Sequence, residues 1–417
     1  MRIVHVIDYF QPQIGYQEFY LAKFQQKMGH KVFIVTSDRY SPYPHFKQTI
    51  GASLGNRIVG VGPSREAGLT VHRLRCLVEY GSTVVLLSGL GQTLRVLRPD
   101  IVHVHNIFNL TSFIIANNNN ALDYPLIFDT HASTFNTRLT GTPLKNLKHF
   151  IYKRWMLPTI RAQADSIVPI GESEQWLVCQ EFELDPKDVP IIPLGADHGL
   201  FRFDARKQNQ IRQELELADG DVVIVHAGKI APEKDLHVLL DAAVPLLQVH
   251  PEARLLIVGG GKPEYLEFLQ KIARESGISS QIIFHKFAKT DRLVGLFNAS
   301  DVGVWPGNPS NTVLEAMSVG LPIILPGEVS DHQSTDFLLA NNNGLSFHRG
   351  DVVELRRNLE LLLDNAELRN QMGSRSRELI DCELNWELIT ERFLEVYSEA
   401  IEKRRRRHVG SSPFSSI

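Results

Sequence analysis

Residues 301–325 read DVGVWPGNPSNTVLEAMSVGLPIIL, and this stretch decides the fold. Residues 301–304 have the length and apolar character of a buried strand, and a turn-rich loop follows over residues 305–310. Residues 311–319 favour a helix, which Ser310 or Asn311 is expected to cap and which Gly320 ends. Because residues 322–325 form a second apolar run, the stretch predicts a β-α-β unit with parallel strands.

The same alternation of strand and helix runs through the rest of the chain. Apolar runs of strand length, separated by helical segments, recur at residues 3–7, 32–35, 101–104, 125–128, 167–170, 222–225, 255–258 and 282–284. Runs that are apolar at every position are typical of parallel strands with both faces covered. The sequence therefore predicts an α/β protein with two Rossmann-like, doubly wound parallel sheets.

The turn-forming Gly195 and Gly199 interrupt this pattern, so the domain boundary is expected near them. The predicted domains are residues 1–195 and residues 196–385. A final helix over about 386–402 has no strand after it and is expected to pack back on the first domain. Residues 403–417 contain five consecutive basic residues and a Ser-rich end, which predicts a mobile tail.

Composition bounds the class of protein. The 417 residues are 43% hydrophobic and 22% charged, which is the soluble globular average, and the net charge of −3 argues against bulk nucleic-acid binding. Cys76, Cys179 and Cys382 lack metal-site spacing and are expected to be buried thiols in a reducing compartment. The N-terminus does not resemble a signal peptide, and no apolar run reaches about 18 residues. These features predict a cytoplasmic protein.

The second domain carries the most informative polar residues. Lys229 and Lys234 lie in the loop after the strand 222–225, where two cations can neutralise a pyrophosphate; exposed surface lysines are the alternative. The start of the helix over residues 311–319 offers free N–H groups and a positive dipole end to an anion. Glu315, one turn into that helix, can accept hydrogen bonds from a ribose diol, although a solvent-exposed glutamate is the simpler interpretation.

Five ordered segments carry a family resemblance: GYQE at 15–18, DTH at 129–131, PLGAD at 193–197, GKIAPEK at 228–234 and PSNTVLEAM at 309–317. In these segments the chain resembles the retaining glycosyltransferases of family 4. The resemblance implies the GT-B architecture, in which two Rossmann-like domains face each other across a cleft. One departure is clear: the family commonly has a Glu eight positions before the donor-helix Glu, and this chain has Gly307 there.

The resemblance also implies a substrate and roles for residues. The donor would be a nucleoside diphosphate sugar, bound as a substrate, with no cofactor and no metal ion. The acceptor would be a saccharide or a lipid-linked saccharide of cell-surface polysaccharide synthesis. The implied catalytic residues are Lys229, Lys234 and His131. The implied donor-binding residues are Gly15, Gly228, Phe287, Ser310, Asn311, Thr312 and Glu315. Tyr16 and Glu18 are expected on the acceptor side.

The segment 145–161 is basic and amphipathic and is a candidate for contact with an anionic membrane surface on the inner face of the cell membrane. The alternative is an ordinary helix that packs its apolar stripe on its own domain. The basic residues 403–407 would add attraction to such a surface.

Two other functions fit the same architecture. A sugar-nucleotide 2-epimerase would isomerise its substrate and need no acceptor, and a catalytically silent binding subunit would explain Gly307. The Asp219-Gly220-Asp221 segment matches a DxD metal motif, but its position just before the strand 222–225 favours a turn.

Overall fold

Contacts divide the chain into two compact units, and the computed structural model describes residues 1–42, 54–133, 137, 141–330 and 332–410, with side chains up to residue 407. Unit 1 runs to Pro193 and resumes at Glu387, and unit 2 spans Leu194–Trp386. The division thus falls close to the expected boundary after residue 195.

Unit 1 is built on a seven-stranded sheet in the order β3-β4-β2-β1-β7-β8-β9, and β5 and β6 form a separate hairpin. Every pair of neighbours in the large sheet is parallel except β3 and β4. The strands are β1 Arg2–Val6, β2 Lys31–Ser37, β3 Gly62–Glu66, β4 Leu69–Leu74, β5 Cys76–Tyr80, β6 Val84–Leu87, β7 Ile101–Val104, β8 Leu126–Thr130 and β9 Ser166–Pro169.

The described helices that accompany this sheet are α1 Gln17–Lys27, α2 Leu90–Leu97, α3 Leu110–Leu122, α4 Pro143–Ile151, α5 Leu157–Gln163 and α6 Glu172–Phe182. A π-helical turn, Tyr152–Met156, joins α4 to α5. Side chains alternate across the sheet, so Val4 and Val6 of β1 pack in one hydrophobic cluster while His5 lies on the opposite face. This alternation places the buried His5 on the face opposite the apolar cluster.

Unit 2 is built on a six-stranded parallel sheet in the order β12-β11-β10-β13-β14-β17, beside a small β15-β16 hairpin. The strands are β10 Val222–Ala227, β11 Ala253–Val258, β12 Ile282–His285, β13 Val302–Val304, β14 Ile323–Pro326, β15 Glu328–Ser330, β16 Gln333–Ser334 and β17 Gly344–Phe347. The described helices are α7 Ala205–Glu214, α8 Leu236–Val249, α9 Pro263–Glu275, α10 Thr290–Asn298, α11 Thr312–Val319, α12 Val352–Asp364 and α13 Ala366–Cys382.

Two hydrophobic clusters cover the two faces of this sheet. Val223 and Val225 of β10 belong to one cluster, and Ile224 between them belongs to the other. Both faces of the strand are therefore buried, which explains why the sequence reads as a continuous apolar run. The two doubly wound sheets, parallel except for the edge strand β3, confirm the predicted α/β class.

Each sheet reverses its strand order at one point, next to its first strand. In unit 2 the chain proceeds from β10 outwards to β12 and then crosses to β13 on the other side of β10. In unit 1 the corresponding neighbours are β1 and β7. Ligands of doubly wound sheets bind in the crevice outside the carboxyl ends of strands at such a switch point. The loops after β1, β7, β10 and β13 are therefore the places to look for a site.

The last helix, α14 Trp386–Gly410, belongs to unit 1 from Glu387 on. The expectation of a mobile tail from residue 403 is wrong for residues 403–410, which continue this helix. The reason is that Arg404 is buried and pairs with Asp165 and Asp123 at 2.8 and 2.9 Å. The rest of the expected tail, residues 411–417, lies outside the described residues.

The cysteines are free thiols. Cys76 and Cys179 are buried as expected, but Cys382 is exposed. The helix α13 buries Leu379 and Ile380, and this orientation leaves Cys382 on the solvent side.

Candidate functional site

The loop after β13 is fixed to the end of β10. The indole Nε1 of Trp305 and the hydroxyl of Thr312 both donate to the carbonyl oxygen of Ala227, at 2.8 and 2.6 Å. Trp305 is fully buried, so this anchor is shielded from water. The first turn of α11 therefore lies beside the loop that follows β10, at the switch point of the unit 2 sheet.

The start of α11 differs from the prediction of a side-chain cap. Asn311 is the N-cap residue, but it makes no side-chain capping hydrogen bond within the described chain. Ser310 instead places its Oγ 2.7 Å from Thr312 Oγ1. The backbone at the beginning of α11 is thus not covered by a capping side chain, which is the arrangement that an anion site requires.

Glu315 occupies the first turn of α11, as the sequence predicted. Its Oε2 atom is buried and has no hydrogen-bond partner among the described residues. Burial raises the pKa of Glu315 to about 8. A buried carboxyl group without a partner costs stability, so this oxygen is a candidate for contact with a ligand.

The two predicted lysines have different environments. The Nζ atom of Lys234 donates to the carbonyl oxygen of Asn308 at 2.7 Å, and burial lowers the pKa of Lys234 to about 8. Lys229 is exposed and forms an ion pair with Glu233 at 2.8 Å. Lys234 therefore lies between the two loops at the switch point, whereas Lys229 lies at the rim.

Gly307 explains why the carboxylate that is common at this position is absent. A Cβ atom at Gly307 would lie 2.8 Å from the carbonyl oxygen of Glu233 and 2.8 Å from the carbonyl carbon of Lys234. The loop after β13 thus packs directly on the backbone of the lysine loop, and a side chain has no room there. Gly228 is also close to the loop after β13, because a Cβ atom added at this position would lie 3.1 Å from Ser310 Oγ.

Phe287 lies half-buried in the loop between β12 and α10. The strand β12 is at the edge of the sheet, two strands from β10. The role of Phe287 in donor binding stays a prediction.

His226 is a residue of this region that the sequence did not single out. It is buried at the end of β10, its Nδ1–H donates to the carbonyl oxygen of Val304 at 3.0 Å, and its Nε2 has no partner among the described residues. Burial lowers the pKa of His226 to about 4, so the ring is neutral and Nε2 is an acceptor. The hydrogen bond to Val304 ties β10 to β13 at the switch point.

Unit 1 brings its own predicted residues to the switch point between β1 and β7. Gly15 has a positive φ of 71°, and a Cβ there would lie 3.1 Å from the ring of Tyr20. Tyr16, 39% exposed, is the N-cap residue of α1 and makes no side-chain capping bond. Glu18 is buried in the first turn of α1, and burial raises its pKa to about 7. These residues share one helix start.

His131 follows β8 and hydrogen-bonds through Nε2 to the side-chain oxygen of Gln17. Gln17 is buried, and its own amide nitrogen has no partner within the described chain. The sequence named Tyr16 and Glu18 on either side but missed Gln17, because an amide at the start of a helix carries no distinctive pattern. The structure joins His131 to α1 through this residue.

The Asp219-Gly220-Asp221 segment forms a turn just before β10, as the sequence predicted. Asp221 accepts a hydrogen bond from the backbone N–H of Ala218 and pairs with Arg254 at 3.1 Å. This carboxylate therefore closes the turn before β10. Among the described residues, one group has ligand atoms spaced for a metal ion: His5, His103 and His105 in unit 1, whose candidate nitrogens lie within 4.8 Å of one another.

The predicted amphipathic segment 145–161 has an exposed first part, α4, and a second part that packs on unit 1. None of the residues of α4 is buried, and Phe150 and Trp155 are 62% and 61% exposed. Lys148 of α4 lies over the ring of Tyr80, 4.1 Å from its centroid, in the β5-β6 hairpin. The alternative of a helix that packs on its own domain is confirmed for the second part of the segment, where Tyr152, Leu157 and Ile160 are buried in a hydrophobic cluster of unit 1. The helix α4 itself exposes its apolar side chains. No described helix combines the length and the apolar character that crossing a bilayer requires.

Two family models match the chain in succession. The model described as Glycosyltransferase Family 4 matches residues 19–200, and the model described as Glycosyl transferases group 1 matches residues 207–379. The first match covers most of unit 1 and the second covers most of unit 2.

Curated relatives carry related names. A D-inositol 3-phosphate glycosyltransferase of Nocardia farcinica is 28% identical over 250 residues, which are 58% of this chain and 54% of that protein. An uncharacterized glycosyltransferase of Methanocaldococcus jannaschii is 22% identical over 317 residues, 74% of this chain and 77% of that one. The match spans about half the length of the first of these relatives.

Solved structures share the fold at low identity. HepE of Anabaena in complex with UDP and glucose is 16% identical, with a TM-score of 0.69 over 95% of this chain and 99% of that chain. A sucrose-phosphate synthase from Thermosynechococcus elongatus gives the same identity and TM-score over 96% and 99% of the two chains. These likenesses establish the GT-B fold, with its two Rossmann-like domains.

Proposed function

The chain belongs to the family 4 glycosyltransferases of GT-B fold, and from this premise we propose that it transfers a sugar from a nucleoside diphosphate sugar to an acceptor. Unit 2 binds the donor and unit 1 contributes the acceptor side. The reaction proceeds with retention of configuration and without a metal ion.

One observation carries the proposal: the partnerless Oε2 of Glu315 lies in the first turn of a helix that no described side chain caps. A carboxylate can accept both hydroxyl groups of a ribose, and a diphosphate can accept backbone N–H groups at the helix start. Binding of a nucleotide would supply the hydrogen bonds that the free protein lacks at both places. A nucleoside diphosphate carries both partners, a ribose for the carboxylate and a diphosphate for the N–H groups.

Lys234 and Lys229 supply the positive charge for the leaving group. When the anomeric C–O bond breaks, negative charge grows on the departing diphosphate, and fixed cations stabilise that charge more than they stabilise the bound donor. Lys234 is held by Asn308 at the switch point, so it is already oriented for this role. Together with the dipole of α11, these cations take the part of a divalent ion.

The acceptor side rests on α1 and the end of β8. His131 is tied to Gln17, and Glu18 and Tyr16 lie at the same helix start. In the proposed reaction His131 hydrogen-bonds a sugar hydroxyl or the acceptor. Attack occurs on the face that the leaving phosphate vacates, and the phosphate takes the acceptor proton, as the family resemblance implies.

The acceptor is proposed to be a saccharide or a lipid-linked saccharide, used in cell-surface polysaccharide synthesis. The exposed apolar and basic side chains of α4 support a location at the cytoplasmic face of an anionic membrane, where a lipid-linked acceptor resides. The names of several relatives add D-inositol 3-phosphate as a soluble acceptor to test.

A donor panel tests the function directly. The full chain is incubated with UDP-, ADP-, GDP- and dTDP-sugars, with and without lipid-linked saccharides or D-inositol 3-phosphate, and free nucleoside diphosphate is measured. Release that requires an acceptor supports a transferase. Isomerisation of the donor without an acceptor would instead identify a 2-epimerase, and donor binding without any turnover would identify a silent binding subunit.

A further inference from the structure

The backbone of Asn106, two residues after the end of β7, lies in the left-handed region with a φ of 70°. Residues other than glycine adopt this conformation uncommonly, although asparagine tolerates it better than most. A backbone in this region persists where the surrounding contacts hold it, and such residues cluster at binding and catalytic sites. The contacts of Asn106 therefore need an explanation.

Most left-handed residues of unit 1 have an ordinary reason for their conformation. Arg98, Asp123 and Glu183 each follow the last residue of a helix, where a left-handed residue commonly ends the helix. Asn106 ends no helix and instead follows a strand that lies inside the sheet, between β1 and β8. Its conformation is therefore set by the loop at the carboxyl end of β7.

The position of Asn106 is at the centre of the predicted acceptor side. Gln17 belongs to the loop and helix start after β1, and His131 follows β8, so these residues come from the strands on the two sides of β7. Their side chains are hydrogen-bonded to each other, which joins the two loops across the end of β7. Asn106 is half-buried there, within the switch point of the unit 1 sheet.

Three of the four polar groups of Asn106 are held by unit 1. Its backbone N–H donates to Asp129 Oδ1 at 2.9 Å, and its carbonyl oxygen lies 2.8 Å from the hydroxyl of Ser112. Its side-chain Oδ1 accepts a hydrogen bond from the backbone N–H of Phe108 at 3.2 Å. These contacts come from β8, from α3 and from the loop itself, and they fix both the backbone and the plane of the side-chain amide.

The fourth polar group, the Nδ2 amide nitrogen, makes no hydrogen bond with any described residue and remains accessible to solvent. The amide cannot turn its nitrogen elsewhere without breaking the bond between Oδ1 and Phe108. Its N–H groups are therefore two oriented donors. An oriented group loses less conformational freedom when it binds a ligand than a mobile side chain does.

The charges around Asn106 determine which ligand suits these donors. The Asp129 carboxylate lies directly against the backbone of Asn106, and Asp8 after β1 accepts a hydrogen bond from Asn109 at 2.9 Å. Burial acts to raise the pKa of Asp129, but neighbouring histidines hold it well below its usual range. An anionic ligand would meet this negative charge. The oxygen of a neutral hydroxyl group accepts a hydrogen bond without that repulsion.

We propose that Asn106 is a binding residue of the acceptor side, and that its Nδ2 donates to a hydroxyl oxygen of the acceptor saccharide. The identity of the ligand as the acceptor rests on the proposed function, but the contact of Asn106 with a saccharide hydroxyl does not. Asp129 and Ser112 are positioning residues that hold the strained backbone. A single asparagine after a strand has no distinctive pattern, so the sequence did not single it out.

The rival explanation is that the side chain of Asn106 serves only the turn with Phe108. Two substitutions separate the explanations. Asn106→Asp keeps an oxygen for the N–H of Phe108 and tolerates the left-handed backbone, but it has no N–H to donate. Asn106→Gly adopts the backbone without strain and adds no charge, and it also lacks the donor. Both variants should therefore fold, and both should bind the acceptor less well.

Kinetics of the full chain with the acceptor found in the panel test the contact. For both variants the acceptor KM should rise about threefold to tenfold, the effect of one neutral hydrogen bond. Donor affinity, measured by calorimetric titration, and the melting temperature should stay close to those of the wild type. Asn342→Asp and Asn342→Gly are the matched controls, because Asn342 is an exposed residue of unit 2 with a φ of 51°.

Three results of these kinetics would overturn the inference. One is an acceptor KM that neither substitution at Asn106 changes. Another is a rise in Asn106→Asp alone, which would assign the effect to the added charge. The third is a loss of donor affinity with an unchanged acceptor KM, which would place the contact on the donor.

If the panel shows no transfer to any acceptor, the proposed function fails and binding alone tests the inference. The labelled full chain is then applied to arrayed neutral and phosphorylated saccharides, in the presence of UDP, ADP, GDP and dTDP in turn. Binding of neutral saccharides that both Asn106 variants lose would support the inference without the function. Wild-type binding to no saccharide, to phosphorylated saccharides alone, or with the same strength as both variants would overturn it.

Discussion

The ammonium group of Lys234 donates a 2.7 Å hydrogen bond to the carbonyl oxygen of Asn308. This contact joins the loop after β10 to the loop after β13, on the two sides of the switch point of the unit 2 sheet. Burial lowers the pKa of Lys234 to about 8, so the group remains charged at neutral pH. The ammonium group of Lys234 is thus held where the proposed diphosphate would lie. This fixed position distinguishes Lys234 from Lys229, which is exposed and paired with Glu233.

Lys234→Ala should therefore impair turnover more than Lys229→Ala. We expect kcat to fall by about tenfold or more for Lys234→Ala, because the variant lacks the fixed positive charge that stabilises the departing diphosphate. Lys229 is exposed and paired with Glu233, so its loss should cost less. Lys271→Ala is the matched control, since Lys271 forms the same exposed i,i+4 pair with Glu275 on α9. Unchanged kcat in Lys234→Ala would exclude the phosphate role.

Glu315→Gln should weaken donor binding and leave the fold intact. Measured above the pKa of about 8, where Glu315 is ionised, the lost charge-assisted hydrogen bonds correspond to about 1.5–3 kcal/mol, or roughly a tenfold to hundredfold rise in the dissociation constant. Isothermal titration with the donor found in the panel measures this change. Glu360→Gln, on the exposed face of α12, should bind the donor like the wild type. Equal affinity of Glu315→Gln and wild type would refute the ribose assignment.

The same substitution should stabilise the ligand-free protein at high pH. The folded-state pKa of Glu315 is about 8, above the ordinary value of 4.5, so the wild type loses stability as pH rises from 4.5 to 8. Glutamine does not ionise and avoids this loss. At pH 8 the variant should be more stable by on the order of 1 kcal/mol or more, and at pH 4.5 the difference should be small. Thermal unfolding of both proteins at the two pH values measures this difference in stability. A stability gain of the variant that is larger at pH 4.5 than at pH 8 would contradict the burial of this carboxyl group.

Gly307→Ala should disturb the donor site through packing. The added Cβ would lie 2.8 Å from the backbone of Glu233 and Lys234, so one of the two loops must move, and we expect this shift to disturb the contact between Lys234 and Asn308. Overpacking of this kind costs about 1–3 kcal/mol of unfolding free energy. Gly260→Ala is the control, because a Cβ there has nothing within 4 Å. Equal melting temperatures and equal donor affinities for the two variants would show that the loop does not need this close approach.

Chelation should leave the transferase activity unchanged, because Lys234, Lys229 and the start of α11 provide the positive charge that a DxD enzyme takes from a metal ion. The assay is nucleoside diphosphate release before and after treatment with EDTA. A loss of activity that Mg²⁺ or Mn²⁺ restores would contradict this mechanism. In that case Asp219→Asn would test whether the DxD segment holds the ion.

Membrane binding should depend on the basic residues of the surface segment. Replacing Lys148, Lys153 and Arg154 by Gln should reduce sedimentation with anionic vesicles, since each cation near the surface contributes about 1 kcal/mol. High salt should weaken binding of the wild type, because the Debye length is only about 8 Å at physiological ionic strength. The control removes the same charge from unit 2, at Lys271, Arg274 and Arg357. Vesicle binding that neither salt nor the first set of substitutions changes would favour a soluble acceptor.

The sequence by itself determined the two parallel sheets and the position of the donor helix. Runs such as residues 222–225 are apolar throughout because both faces of a parallel strand are buried, and this periodicity is a local property of the chain. The segment 309–317 likewise placed Glu315 in the first turn of α11, where the structure has it. Spacing within one helix is fixed by the 3.6-residue repeat and needs no tertiary contact.

Only the tertiary structure decided the contacts that join distant elements. The packing of Gly307 on the lysine loop, the burial of Arg404 against Asp165 and the link between Gln17 and His131 each connect residues far apart in the chain. The buried contacts of His5 with His105 and of His103 with Tyr397 likewise join β1, β7 and α14. Hydrogen-bond direction and burial depend on which groups meet in space, and the order of residues along the chain does not specify that.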